Sequence, residues 1–364
     1  MYFKEDWDKA KQRYNAWWNN DVLDRVAVAV TAPIEGFKEE RRYNGSMVER
    51  WTNPEIVIGQ HEQTFERTFY GGEAYPYVWV TLGPTIISAY LGCELVFDEK
   101  TPWTTWQKPC MKHINEFSSH SFSKDNPWYI ILRQITELAL ERGKDRYFVS
   151  LADIGASAEV LLHMLGAEEL CLAMVDEPDG VKSARDSIIA LWKVLYDEMF
   201  NRIQPVMTGS CMWLNAWSSG KTYPLECDFS AMISPRNFEE FFLPEIQELS
   251  RFLDDPIYHL DGKEALQHLD LLLEIPELKA IQWCPGATAG NNQSMMQWLP
   301  ILKKIQNKKK SLHIEVKANE VQTLMEALSP NGLMLRTTCS SRGEAEDLLR
   351  KVEAWTTFGL TAVK

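Results

Sequence analysis

The sequence predicts an α/β protein: a single (β/α)8 TIM barrel with an N-terminal helical arm and an insertion after the second strand. Three observations lead there. Eight short, apolar, β-rich runs recur along the 364 residues. Helical periodicities fill most of the gaps between them, and no Pro-, Gly- or Ser-rich linker divides the chain. Residues 1–364 therefore read as one domain, a normal length for a barrel with insertions. A doubly wound open sheet is the rival, but it would carry a Gly-rich phosphate turn after an early strand. The stretch Val80-Thr81-Leu82-Gly83-Pro84 is not such a turn.

The elements follow in order. Glu5–Trp18 reads as an amphipathic helix. The eight strands are expected at Val26–Thr31, Tyr77–Thr81, Tyr147–Leu151, Gly209–Asn215, Ile257–Leu260, Ala280–Trp283, Leu312–Val316 and Leu333–Thr337. Gly180–Ile203 carries apolar residues at helical spacing. Ser234–Leu253 opens with Ser at the N-cap and Pro at the first helical position, and Pro244 is expected to kink it. Arg342–Trp355 is the closing helix. The long stretch Gly83–Asn126 is an insertion with small helices or a hairpin of its own, expected over the barrel mouth.

Composition narrows the function classes. Hydrophobic residues make up 45% of the chain, enough for a large core, and the formal net charge is −13. An acidic surface disfavours nucleic acid and anionic membranes as partners, because their phosphates are repelled. The N-terminus lacks the apolar run of a signal peptide, and no window suits a transmembrane helix. Seven cysteines without CxxC spacing predict reduced thiols and a cytoplasmic location. Fourteen tryptophans is a high count; some serve the core, and a surplus of rings can also line a pocket for a flat or sugar-like ligand.

In a parallel barrel the active site lies at the C-terminal ends of the strands. His259 and Asp261 are two apart on a strand, so they share a face, and Gly262 then turns the chain. Cys339 leaves the last strand. An imidazole, a carboxylate and a thiolate converging at the mouth could ligate zinc with one position open. The alternative is that His259 and Asp261 hydrogen-bond a substrate or each other while Cys339 is simply buried. Glu226 and Asp228 flank Cys227 and are candidates for acid–base work, though Asp228 could equally cap the next helix. Trp79, Trp213, Trp217 and Trp283 lie near strand ends, where at least two are expected to line the pocket; core packing is the default for any one of them. Gln282 and Asn215 are neutral hydrogen-bonders suited to a hydroxylated ligand, and Glu315 or Gln282 could orient metal ligands. Glu73 reads as a polar contact or a plain turn, and Asp153 as a ligand contact or an N-cap.

Several segments resemble the uroporphyrinogen decarboxylase superfamily, which includes the methylcobalamin:coenzyme M methyltransferases. They are Asp24-Arg25-Val26-Ala27-Val28, Gly166-Ala167-Glu168-Glu169-Leu170, Asp176-Glu177-Pro178, Asp228-Phe229-Ser230, Ile233-Ser234-Pro235 and Phe241-Phe242-Leu243-Pro244. The His259 strand and Cys339-Ser340-Ser341 complete a resemblance running from about Asp24 to Trp355. It implies a (β/α)8 barrel. The decarboxylase branch carries an arginine-rich motif after its first strand; here that place reads Thr31-Ala32-Pro33-Ile34-Glu35-Gly36, with Arg41 and Arg42 further along. Uroporphyrinogen decarboxylation is therefore not expected. The methyltransferase branch has a His-x-Cys zinc site with a second Cys after the eighth strand. His259 and Cys339 match it, while Asp261 stands at the middle ligand. The resemblance thus implies a corrinoid-linked methyltransferase-like enzyme, with zinc on His259, Asp261 and Cys339, a small-molecule substrate, and a corrinoid protein as partner. The residues alone leave open a lyase or hydrolase acting on a hydroxylated small molecule, or a binder of a tetrapyrrole or other small ligand.

Overall fold

The computed structural model describes residues 1–36, 45–286 and 294–362, with side chains to residue 356. Arg41 and Arg42 lie outside the described residues. Thirteen strands occur among those described: β1 (Ala27–Pro33), β2 (Thr68–Gly72), β3 (Tyr77–Val78), β4 (Glu94–Val96), β5 (Trp106–Lys108), β6 (Phe148–Val149), β7 (Ser210–Cys211), β8 (Trp217–Ser218), β9 (Thr222–Leu225), β10 (Asp255–Asp261), β11 (Ala280–Cys284), β12 (Ser311–Glu315) and β13 (Leu333–Thr338). Seven of them form a central sheet in the order β2-β1-β13-β12-β11-β10-β9. Every neighbouring pair is parallel except β1 with β2. β3 and β6 form a separate parallel pair. It is tied onward where Leu151 N–H donates to Cys211 O at 3.2 Å, and the Tyr223 hydroxyl on β9 accepts from Ile154 and Gly155 N–H.

The central strands are buried along nearly their whole length, as parallel strands covered on both faces must be. Helices cover the outer face. The longest, Pro178–Ile203, buries Val181, Ala184, Ile188, Trp192 and Leu195 at helical spacing. Fully burying a side chain the size of Val181, Ile188 or Leu195 stabilises the fold by about 1.5–3 kcal/mol. The Ser234 hydroxyl caps Pro235–Phe241 by accepting from Asn237 N–H. The helix breaks at Phe242, and a second one, Leu243–Phe252, starts with Pro244 in its first turn. The proline lacks the N–H that would have continued the first helix.

Two expectations are corrected. The fourth strand was expected at Gly209–Asn215, but only Ser210–Cys211 is extended there, and it pairs antiparallel with β8. Gly209 at φ 89° and Asn215 at φ 57° bend the chain out of strand geometry. The strand beside β10 is Thr222–Leu225 instead. Pro224 disguises it in the sequence, yet as an edge strand of the central sheet β9 tolerates a missing donor. The second correction is β2, an antiparallel strand the alternation did not predict.

The N-terminal helix Trp7–Trp18 is bolted on by buried charges. Glu73 is 0% exposed and accepts from Arg25, from Arg13 and from Val28 N–H; Arg13 also grips Asp24. Glu73 is thus a structural anchor. The insertion holds β4, β5 and short helical turns. It docks through Cys110 and Met111 N–H on Met164 O, and through Thr85 N–H on Asp153 Oδ1. Among the described residues no helix is long and apolar enough to cross a membrane.

Candidate active site

In the parallel register His259 pairs with Gln282, Gln282 with His313 and His313 with Met334, so these side chains form one row on the inner face. The ring nitrogen Nδ1 of His259 hydrogen-bonds Gln282 Oε1. If Nδ1 carries the proton, Nε2 is left as an acceptor. The ring of Trp213 meets the imidazole edge-on, with centroids 4.9 Å apart. His313, deeper in the row, is held neutral, its pKa pushed down to about 3 by burial and by Arg336.

Two residues beyond His259, at the C-terminal end of β10, stands Asp261. Gly262 turns the chain at φ 79°, and the loop after β11 presses against it: a Cβ on Gly286 would lie 3.0 Å from Gly262 Cα. Asp228 opens the short helical turn Asp228–Met232 that follows β9. One ligand atom from each of Asp228, His259 and Asp261 lies within 4.8 Å of the others. Asp261 Oδ1 is buried without a hydrogen-bond partner. Asp228 reaches solvent, His259 is buried, and Asp261 lies between them.

Further carboxylates crowd the same end of the sheet. Burial raises Glu226 well above the ordinary range, reinforced by Asp153, Asp228, Glu159 and Asp261. Burial likewise lifts Asp153 to about 6, with Asp228 adding to the rise and His259 opposing it. Asp228 is raised by the protein mass around it and by Asp261, against the pull of His259. Glu159 Oε1 accepts from Phe229 N–H at 3.3 Å, while its Oε2 has no partner. Close, poorly hydrated carboxylates demand protons or a cation.

The structure brings together His259, Asp261, Asp228, Glu226 and Gln282, with Trp213 alongside. It does not bring Cys339 into the group with ligand atoms within 4.8 Å, where Asp228 stands as the third member. Cys339 is buried just past β13, its N–H donates to Thr31 O, and burial raises its thiol to about 11. Trp217 lies in the core against Trp7 and Tyr14 and donates to Thr208 O. Trp283 alternates with Gln282, so it points to the outer face and packs on Trp298. Neither indole lines the site. Trp79 is half-buried with a partnerless indole N–H. Asn215 is engaged with Tyr14, and Glu315 stands exposed near Arg336. Sequence reasoning missed Glu159. Its signal was the one carboxylate in a largely apolar helix, Ser157–Leu165.

No family model matches the chain, and no curated protein matches it. Among solved structures it is similar to a methyltransferase from Methanosarcina mazei, with a TM-score of 0.60 and 13% identity over 95% of this chain and 98% of that one. The likeness is one of fold. It spans the whole architecture, in keeping with a mixed α/β protein built on a largely parallel sheet.

Proposed function

We propose that the chain is a methyltransferase-like enzyme of one closed (β/α)8 barrel domain, with a divalent cation at its mouth on Asp228, His259 and Asp261. The closed barrel is supported by the β3–β6 pair, whose flanks hydrogen-bond toward β7 and β9. The methyltransferase reading is supported by the fold shared with the Methanosarcina mazei enzyme and by the superfamily resemblance of the sequence. The observation that carries the cation is the 4.8 Å grouping of two carboxylates and an imidazole.

The residues fit a cation. His259 is buried and oriented by Gln282, and Asp261 Oδ1 has no other partner. Imidazole with carboxylates suits zinc and also harder divalent ions. Bound there, a cation would supply Lewis acidity, lowering the pKa of a thiol or hydroxyl acceptor. Gln282 would keep the His259 proton on Nδ1. Glu226, protonated through burial, would exchange a proton with the ligand at a carboxylate oxygen, and Trp213 would give the site an apolar wall. The methyl donor on this reading is a corrinoid carried by a partner protein.

The raised carboxylates Glu226 and Asp153 support a second reading, acid–base lyase or hydrolase chemistry on a hydroxylated small molecule. Zinc titration of the metal-stripped full-length protein tests the first. One equivalent should bind; Asp228→Asn and His259→Ala should weaken it at least about tenfold, and Cys339→Ser should leave it unchanged. A wild-type protein that binds neither zinc nor manganese would refute the cation. Methyl transfer from methylcobalamin to a small thiol, followed by the cobalamin spectrum, tests the reaction; no transfer by the zinc-loaded enzyme would favour the acid–base reading.

A further inference from the structure

A second set of reactive side chains lies in the insertion, apart from the carboxylate cluster. Cys93 sits one residue before β4 and Cys110 two residues after β5 of the β4–β5 hairpin, whose register pairs Glu94 with Lys108, Leu95 with Gln107 and Val96 with Trp106. Their sulfurs are 3.2 Å apart. A disulfide needs about 2.05 Å, an approach that small side-chain rotations supply. The backbones on both sides are already held: Cys93 N–H donates to Ser88 O, and Cys110 N–H to Met164 O. Cys93 is buried, whereas Cys110 is half-buried and open to a small oxidant.

We propose that Cys93 and Cys110 form a reversible disulfide that staples the hairpin of the insertion beside the helix Ser157–Leu165. The oxidant is a hydroperoxide. The Cys110 thiolate attacks the terminal peroxide oxygen, the O–O bond breaks, and the alkoxide leaves (hydroxide when the oxidant is hydrogen peroxide), so Cys110 becomes a sulfenic acid. The Cys93 sulfur then attacks the Cys110 sulfur. The S–O bond breaks, and water departs with the proton of Cys93. The two thiols lose two electrons and the peroxide gains them; a dithiol reductant reverses the step. Cys110 suits the first role because the Cys93 thiol beside it lowers its pKa to about 7, while Cys93 is raised by that same contact and by burial. The other five cysteines are not in sulfur contact with either of them in this arrangement, so a selective response is expected.

The location gives the staple a consequence. The insertion reaches Asp153 through Thr85, and Met164 O, which receives Cys110 N–H, lies in the last turn of the helix that carries Glu159. Closing the bond locks together the two arms of the hairpin base, one of which already rests on the wall of the carboxylate cluster through Cys110 N–H and Met164 O.

The test treats the native full-length protein with hydrogen peroxide, then blocks free thiols by alkylation and maps peptides by mass spectrometry. Two of the seven thiols should disappear first, as one Cys93–Cys110 linked peptide that dithiothreitol releases. Trypsin cutting at exposed Lys100 should leave the two halves joined in the oxidised protein and separate in the reduced one. In Cys93→Ser, a sulfenic acid should be trapped by dimedone on Cys110, with no cross-link. Oxidation of another cysteine ahead of this pair would overturn the proposal, as would passage of Cys110 to sulfinic acid in the wild type without a linked peptide. The wild-type mapping decides the matter even if the variant does not fold.

Discussion

Replacing Glu73 by Gln should destabilise the whole fold through a charge left without its counter-ion. The carboxylate accepts at 2.8 Å and 2.9 Å from Arg25, at 3.2 Å from Arg13 and at 2.6 Å from Val28 N–H. Solvent screening is small, because Glu73 is 0% exposed and the Arg13 and Arg25 side chains are 9% and 4% exposed. The amide keeps the volume but turns a donor toward two guanidinium groups. Removing one partner of a buried ion pair costs about 3–5 kcal/mol. At about 2.1 cal/mol/K of unfolding entropy per residue, a chain of this length melts about 4–7 °C lower. Differential scanning calorimetry reads the shift. The double variant E73M/R25M should lose less than the sum of E73M and R25M, since the charge of Arg25 goes with its partner. An E73Q melting point within about 1 °C of wild type would refute the reasoning.

Three further outcomes follow from the site and its walls. Gln282→Leu should weaken zinc binding about 10–100-fold by releasing the His259 ring, with little change in thermal stability; calorimetric titration measures it. Trp217→Ala should cost about 3–5 kcal/mol in denaturant unfolding because it opens the packing against Trp7 and Tyr14, and Trp213→Ala should cost less because its ring is only half-buried. Glu245 is buried and raised from 4.5 to about 7, so the folded protein keeps a proton that the unfolded chain releases above about pH 4.5. Stability from this group is therefore highest below that pH and falls as pH rises to about 7. A tenfold change in proton affinity is worth about 1.4 kcal/mol, so the full loss is on the order of 3 kcal/mol. Glu245→Gln should stabilise the protein at pH 8 relative to pH 4.5 in urea melts, and a pH-independent difference from wild type would count against the assignment.

Much of the chain was legible from local pattern alone. Apolar runs located the strands that became β1, β10, β11, β12 and β13, because strands buried on both faces must be apolar almost throughout. The Ser234 cap and Pro244 located a helix and its break, since capping and a missing N–H act within a few residues. The two-residue spacing of His259 and Asp261 put both on one face for the same local reason. The partners of that pair were not legible. Whether Asp228 or Cys339 completes the cluster depends on where the loop after β9 and the end of β13 come to rest in space, and spacing along the chain carries no record of that. Glu73 looked like a turn residue until Arg13 and Arg25, 60 and 48 residues away, closed on it. Trp217 and Trp283 looked like pocket walls because they lie near strand ends. Their destination was decided by which face they occupy once the sheet and the N-terminal helix pack, and burial of large rings is a property of the assembled core.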